Sequence, residues 1–356
     1  MKVFRNIAIA ILIVMIVSII VVCSLYNINI KAVDKNNSTK IEVVIPSGTN
    51  KTNIGKILEE KNLIRSSKFF SLYIKLFDVG DLKAGTYYLS KDMDLKEILD
   101  KLKEGNSYNP NQISITFKEG INIRKIASII EENTNNSYDD VMELLKDEKY
   151  LDELIETYWF ISSDIKNDKL YYSLEGYLFP ETYYFSSKDV SVREVFAKML
   201  NQMDKILTPY KDTISKSELS IHEILTLASI VEKEGKQKDF NNIASTFYNR
   251  INKNMALQSC ATSYYGMGMD FNEVGIATSE MISNKNDYNT YVLKGLPVGP
   301  ISAPSSSAIE SVIIPKETNN LYFLSDNEGN TYFFETYKEH QQKEAELKQN
   351  GKWERS

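Results

Sequence analysis

Histidine and cysteine are in short supply in this chain, and positive charge is in no excess over negative. Only His222, His340, Cys23 and Cys260 represent the two residue types among 356 positions, and the formal net charge is -6. Each shortage excludes something. A strongly basic face, the usual mark of a nucleic-acid binder, is missing, so no nucleic-acid partner is expected. Cys23 sits in an apolar stretch and Cys260 far beyond it, so they are not expected to pair, and the folded part is stabilised by its core alone. His222-Glu223 does not open a zinc H-E-x-x-H, because Thr226 stands where the second histidine belongs. Neither a G-x-S-x-G elbow nor a Walker loop occurs. In "YGMGMDF", Gly266 and Gly268 are followed by Phe271 in place of a third glycine, with no strand leading in, which argues against a dinucleotide site. Neither a metal nor a cofactor is expected. Carboxylate chemistry is what remains.

Charged residues at 25% and hydrophobic ones at 42% describe a globular body rather than a disordered one. Ahead of it, Ile7 to Leu25 form an apolar run without charge, preceded by Lys2 and Arg5. Roughly 20 apolar residues span a bilayer. The positive-inside rule then puts residues 1–6 in the cytoplasm and everything after the run outside. The competing reading is a cleaved signal peptide, whose apolar region is only about 7–15 residues and ends at small residues. No Ala-x-Ala site follows here, and Val21-Val22 before Cys23 lacks the small residue of a lipoprotein site. An uncleaved single-pass anchor is expected over 7–25, in the cell membrane with its N-terminus cytoplasmic, and then a polar tether over 26–40.

A pattern then occurs twice. "IEVVIPSGTNKTNIGKILEE" from Ile41 and "ISITFKEGINIRKIASIIEE" from Ile113 each read as strand, turn glycine (Gly48, Gly120) and helix, with a constant offset of 72 residues. Between them lie a helix over Ser67–Phe77, a strand over Gly85–Leu89 and a helix over Leu95–Lys103. Strand-helix-helix-strand in so short a span is similar to a LysM module, a fold associated with N-acetylated glycans; a plain α+β packing domain fits the pattern equally. A LysM-like subdomain is therefore expected over 41–110. Beyond it come a helical stretch over Tyr138–Tyr158, an aromatic loop or edge strand in "LEGYLFPETYYF" (Leu174–Phe185), and a helix over Val190–Tyr210. A C-terminal hairpin of Leu321–Leu324 with Thr331–Phe334 precedes a final polar helix.

The densest signal begins at Ser220. Ser220 and Glu223 form a capping box that starts a helix. Ile221, Ile224, Leu225, Ala228 and Val231 line one face, and Leu227 with Ile230 add a second apolar flank, so the helix should be buried on most sides. It runs into "EKEG", with Gly235 as the expected stop. At about 100° per residue, Glu232 and Glu234 point roughly 200° apart and are not a close pair. A carboxylate is a poor choice at a helix C-terminus, where the dipole favours cations. That dipole, together with apolar burial, raises a glutamate's pKa. A protonated acid in an apolar wall is what a glycosidase uses to protonate a leaving oxygen. Periodicity alone leaves both glutamates open.

"LASIVEKE" is followed by "ASTFYNRI" (Ala244–Ile251), "LQS" (Leu257–Ser259), "YYGMG" (Tyr264–Gly268), "YNTY" (Tyr288–Tyr291) and "GLPVGPIS" (Gly295–Ser302). Together with "EGYLFPETY" (Glu175–Tyr183) and the final "YFLSDNEGNTYFFETYKEH", this order resembles the YceG/MltG family of membrane-anchored endolytic murein transglycosylases. The resemblance implies that the second glutamate of E-K-E, Glu234, is the catalytic residue. It would act as general acid on the β-1,4 bond between N-acetylmuramic acid and N-acetylglucosamine. It would then act as general base on the muramoyl 6-hydroxyl, closing a 1,6-anhydro ring. No second carboxylate is needed when the nucleophile belongs to the substrate. Substrate contacts are expected from Gln258 and Ser259 to an acetamido group, from Tyr265, Tyr288 and Tyr291 by stacking on sugars, and from Asn289 and Thr290 to hydroxyls. Gly295, Pro297, Gly299 and Pro300 read as a rigid loop wall, Glu175 as a cap on the loop before Pro180, and His340 as a surface residue. One departure concerns the residues after "LQS": the family usually continues with Asp-Pro, whereas Cys260-Ala261 stand here.

The expectation is thus an α+β protein: a transmembrane helix, a LysM-like α+β subdomain over 41–110 and a mixed α+β catalytic domain over 111–350. It would cut nascent peptidoglycan glycan strands, end their elongation, and meet wall-synthesis enzymes in the same membrane. The rivals are a non-catalytic glycan-binding scaffold and a hydrolytic muramidase.

Overall fold

The computed structural model describes the backbone of residues 2–105, 112–269 and 278–353, and side chains from residue 13 onward within those ranges. The chain divides into two compact units, Met1–Asn111 and Gln112–Ser356. The expected boundary at 110/111 and Phe271 of the glycine motif lie outside the described residues.

The first unit opens with α1 (Lys2–Ile30), of which Ile13–Ile30 is long and apolar enough to cross a membrane and is unburied. It continues with β1 (Ile41–Ile45), α2 (Lys51–Glu60), α3 (Ser67–Leu76), β2 (Gly85–Leu89) and α4 (Leu95–Glu104). β1 and β2 pair antiparallel, with Ile41 opposite Leu89 and Ile45 opposite Gly85. Alternation puts Val43, Ile45, Tyr87 and Leu89 on one face, where they meet Ile54, Leu58, Phe70, Ile98 and Leu102. The stretch expected as a polar tether, 26–40, begins inside α1. α1 runs on to Ile30, and Arg65 closes its end by donating to the carbonyls of Ile28, Lys31, Ala32 and Val33 at 3.0, 2.6, 2.8 and 3.1 Å. Asp34 and Asn37 then bond the backbone of Lys91 and Asp92. Carbonyls left open at a helix end take cations readily, and Arg65 supplies one from a distant segment.

The second unit runs β3 (Ile113–Thr116), α5 (Ile123–Asn133), α6 (Tyr138–Leu144), α7 (Glu148–Thr157), β4 (Thr182–Phe185), α8 (Val192–Leu207) and α9 (Lys211–Ile214). Then come α10 (Ile221–Glu234), α11 (Phe240–Asn252), α12 (Cys260–Gly266), α13 (Ser279–Ser283), α14 (Ser306–Ile313), β5 (Tyr322–Ser325), β6 (Thr331–Phe334) and α15 (Tyr337–Gln349). β3 pairs antiparallel with β4, and β5 with β6. The 72-residue offset survives in detail. Asn50 and Asn122 cap α2 and α5 by accepting from the third helical N–H, and Gly48 and Gly120 both take left-handed φ, +80° and +71°. The stretch 138–158 is two helices, because Ser137 and Asp147 each cap a separate start.

α10 is the central element. His222 and every residue from Ile224 to Val231 are buried, against α11, α12 and α14. Each buried leucine or isoleucine contributes about 1.5–3 kcal/mol, and Leu227→Ala would cost about 2–5 kcal/mol. The capping box forms as expected, Glu223 N–H to Ser220 Oγ at 3.2 Å and Ser220 N–H to Glu223 Oε2 at 2.8 Å. Gly235 ends the helix in extended backbone, φ -164°, rather than by a left-handed turn. It is small for another reason: a Cβ there would collide with the buried Ile243 of α11.

Candidate active site

The last turn of α10 carries the two glutamates to different neighbours. Glu232 Oε2 accepts from the N–H of Ser305 at 3.0 Å and from its hydroxyl at 2.6 Å. Ser305 in turn caps α14 through Ala308 N–H at 3.2 Å. Glu232 thereby pins the start of a neighbouring helix. Glu234 instead accepts one short hydrogen bond, from the Ser259 hydroxyl at the head of α12.

Glu234 is half-buried, and burial pushes its carboxyl above the usual carboxylate range, partly opposed by the Ser259 hydrogen bond and the positive charge of Arg250. Low-polarity surroundings disfavour the ionised form, whereas a donor and a nearby cation favour it. The balance leaves an acid that holds its proton more tightly than an exposed glutamate and still releases it to a stabilised carboxylate. Tyr264, Tyr291 and Cys260 also feel its charge.

The strand-like loop facing Glu234 is fixed from behind. Arg250, only 7% exposed, donates Nε to Leu321 O at 2.7 Å and Nη1 to Leu257 O and Ala256 O at 2.7 and 3.3 Å. Its guanidinium lies 5.4 Å from the Tyr322 ring centroid. Gln258 takes a left-handed φ of +56° and donates its N–H to Thr290 O at 3.0 Å. This turn exposes the Gln258 side chain and sends Ser259 inward. Ser259 N–H bonds Thr290 Oγ1 at 3.0 Å, which also meets Thr262 Oγ1 at 2.8 Å. Asn289 accepts from Ser263 at 2.7 Å and donates to the carbonyls of Met281, Ile282 and Asn284. "YNTY" and "LQS" are therefore one bonded assembly.

This placement sorts the expected substrate contacts. Gln258 is exposed and Tyr291 half-exposed, with its hydroxyl 3.1 Å from Cys260 Sγ. Ser259 is buried but reaches Glu234. Tyr265, Tyr288, Asn289 and Thr290 are buried, with polar atoms bonded inside the protein. In the structure these four, expected to touch sugars, bond within the wall that carries the loop. Tyr265, Tyr171 and Tyr288 pack together, with Tyr171 4.7 Å from Tyr288 and Tyr265 4.8 Å from Tyr288 between ring centroids.

Glu175 has a place other than the expected one before Pro180. It is 1% exposed, accepts Ile123 N–H at the start of α5 with both oxygens (3.2 and 3.1 Å), and accepts the Tyr265 hydroxyl at 2.9 Å. Burial drives its carboxyl up to about 7 despite these donors. It ties α5 to α12. The "GLPVGPIS" wall is gripped by α10: His222 Nε2 meets Val298 O at 3.0 Å, Ile301 N–H bonds Ser229 Oγ at 3.0 Å, and Pro300 presses on Gly176 so closely that a Cβ would not fit. The other His222 nitrogen meets Tyr177 OH at 2.9 Å. His340 is half-buried against the rings of Tyr322, Phe334 and Tyr337 rather than free on the surface.

Sequence reasoning missed Arg250, although "FYNRI" offered a signal. An arginine in the last turn of an amphipathic helix looks like a cation favoured by the dipole, and nothing local tells that it turns inward.

A family model described as the YceG-like family matches residues 43–346. The chain is 36% identical over 313 residues to an endolytic murein transglycosylase of Bacillus subtilis strain 168, covering 87% of this chain and 86% of that protein. It is 34% identical over 328 residues to an endolytic murein transglycosylase of Streptococcus pneumoniae D39, covering 88% of this chain and 59% of the pneumococcal protein. The crystal structure of a yceG-like protein from Listeria monocytogenes matches with a TM-score of 0.61 at 35% identity, covering 85% of this chain and 98% of that one.

Proposed function

The chain belongs to the YceG-like family, and on that premise we propose that it is a lytic transglycosylase, a lyase, acting on peptidoglycan with Glu234 as its acid and base. The observation that carries the assignment is the Glu234 carboxyl at the end of a buried helix, held above the usual carboxylate range and bonded, among the described residues, by a serine hydroxyl. Protonated, Glu234 delivers its proton to the glycosidic oxygen between N-acetylmuramic acid and N-acetylglucosamine. Ionised, and then stabilised by Ser259 and Arg250, it takes the proton from the muramoyl 6-hydroxyl as that oxygen attacks the anomeric carbon. The C–O bond to the leaving sugar breaks, an intramolecular one forms, and the product ends in 1,6-anhydro-N-acetylmuramic acid.

Among the described residues, no second carboxylate acts on Glu234. Glu232 is engaged with Ser305, and Glu119 feels Glu232 rather than Glu234. Retaining and inverting hydrolases work with a second carboxylate, whereas a nucleophile supplied by the substrate needs none. Of the expected contacts, Gln258 and Tyr291 have side chains open to a sugar, and Ser259 positions the acid.

The anchor completes the reading. α1 holds the protein in the membrane with its N-terminus in the cytoplasm, the first unit after α1 serves as a LysM-like glycan-binding module, and the second unit, over 111–350, is catalytic. Placed there, the enzyme would cut nascent strands beside the wall-synthesis enzymes of the same membrane and so end their elongation. The test incubates the full chain in lipid nanodiscs with uncrosslinked glycan strands and analyses the products by mass. Anhydro ends, lost in Glu234→Gln, are expected. Reducing ends would mean hydrolysis, and binding without cleavage would mean a scaffold.

A further inference from the structure

α3 is apolar on two sides, and its own unit covers only one. Phe70 and Ile74 enter the small core. On the other side, Leu72, Leu76 and Phe77 at its C-terminal end are 54, 68 and 54% exposed. Phe69 and Tyr73, half-buried against the small core, border this stripe at four-residue spacing. A soluble surface seldom groups large apolar side chains in this way without a partner.

The partner is indicated by what already touches the stripe. Tyr26, in the last turns of α1, lies 6.2, 6.4 and 6.3 Å from the ring centroids of Phe69, Tyr73 and Phe77. The segment just before α3 supplies Arg65, which closes the end of α1 through four carbonyls. Two independent contacts therefore set α3 at the point where the apolar helix ends. Aromatic rings at such a point form the interfacial belt of membrane proteins. Exposed Lys68 and Lys75, one above the other, border one edge of the stripe, as cations border the apolar side of helices that lie in a membrane surface.

We propose that the outer face of α3 is a lipid-contact surface, seated in the headgroup and upper acyl region of the leaflet from which α1 emerges. The proposal rests on the reading of α1 as a membrane anchor. The first unit is then held against the bilayer by a helix in the interface as well as by the span. Leu72, Leu76 and Phe77 enter the apolar edge, Tyr26 and Tyr73 sit at the headgroup level, and Lys68 and Lys75 meet lipid phosphates.

Fluorescence quenching by brominated lipids separates the two readings. Full-length Leu76→Trp and Val14→Trp proteins are placed in nanodiscs of phosphatidylethanolamine and phosphatidylglycerol, with or without bromine high on the acyl chains. The parent protein gives the background of Trp159 and Trp353. Both added tryptophans should lose about half or more of their emission to the bromines, since an interfacial helix buries its apolar face about 5–10 Å deep. Leu72→Trp should repeat the result of Leu76→Trp. Quenching at position 14 without quenching at 76 or 72 would overturn the lipid contact and leave the anchor, with the stripe then covered by protein. No quenching at any position would overturn the anchor and the proposal together.

Discussion

Glu232 and Glu234 sit two residues apart on the last turn of α10, and each takes a hydrogen bond from a serine that begins another helix, Ser305 before α14 and Ser259 before α12. The partners differ in number and kind. Glu232 receives a backbone N–H as well as the hydroxyl, and a carboxylate so held is committed as an acceptor and fastens two helices. Glu234 receives one rotatable hydroxyl, with a cation behind it, in surroundings that favour the proton. The acid and base role proposed for Glu234, giving up and regaining a proton, fits this looser hold. Composition and spacing are nearly the same for the two residues; the donors that meet them set their use.

The contrast breaks most sharply by exchange. Glu234→Gln should lower release of anhydro ends by about 10²–10⁴-fold, the usual worth of a general acid, with thermal stability kept. Glu232→Gln should stay within several-fold of the parent. Loss of cleavage in the second and not the first would reverse the assignment.

Glu175 sharpens the comparison as a buried acid with no outlet. Its folded-state pKa, raised to about 7, means that folding favours its protonated form. Its contribution is therefore full below the ordinary glutamate range and lost as pH rises toward 7, a fall of about 3 kcal/mol. Denaturant unfolding across pH 4–8 should show this slope, and Glu175→Gln should flatten it. An unchanged slope in the variant would sink the claim.

Arg250 tests the cation behind Glu234. Without that charge the Glu234 carboxyl rises further, and activity depends on the protonated acid. The basic limb of kcat/KM should therefore move to higher pH in Arg250→Gln and stay near its place in Arg250→Lys. Both variants should lose about tenfold to a hundredfold in rate, because the Gln258 loop is no longer held and small misplacements are costly. A downward move of the limb would argue against the electrostatic role. Smallest is Glu232→Ala, expected to cost about 1 kcal/mol in stability through the weakened start of α14, read by thermal unfolding, with cleavage nearly kept.

Much of the architecture was legible along the chain. The repeat at Gly48 and Gly120, the capping box at Ser220 and the hairpin around Asn327–Asn330 are local patterns, each decided by residues within a turn or two, and the structure carries them at the expected positions. The site was legible only in part. "YNTY" and "LQS" were recognisable as one pattern, yet that Asn289 and Thr290 bond Ser263, Ser259 and Thr262 about 30 residues away, and Tyr288 bonds Tyr171 farther still, could not be read along the chain.

The sequence by itself determined that α10 is a buried helix and that its two glutamates face apart, since a period of 3.6 residues and a capping serine suffice for both. Only the tertiary structure decided what each glutamate meets. Ser305 and Ser259 lie 73 and 25 residues away along the chain, and the inward turn of Arg250 depends on carbonyls from two other segments. Proton affinity is set by burial and by such distant partners, and no window of sequence contains them.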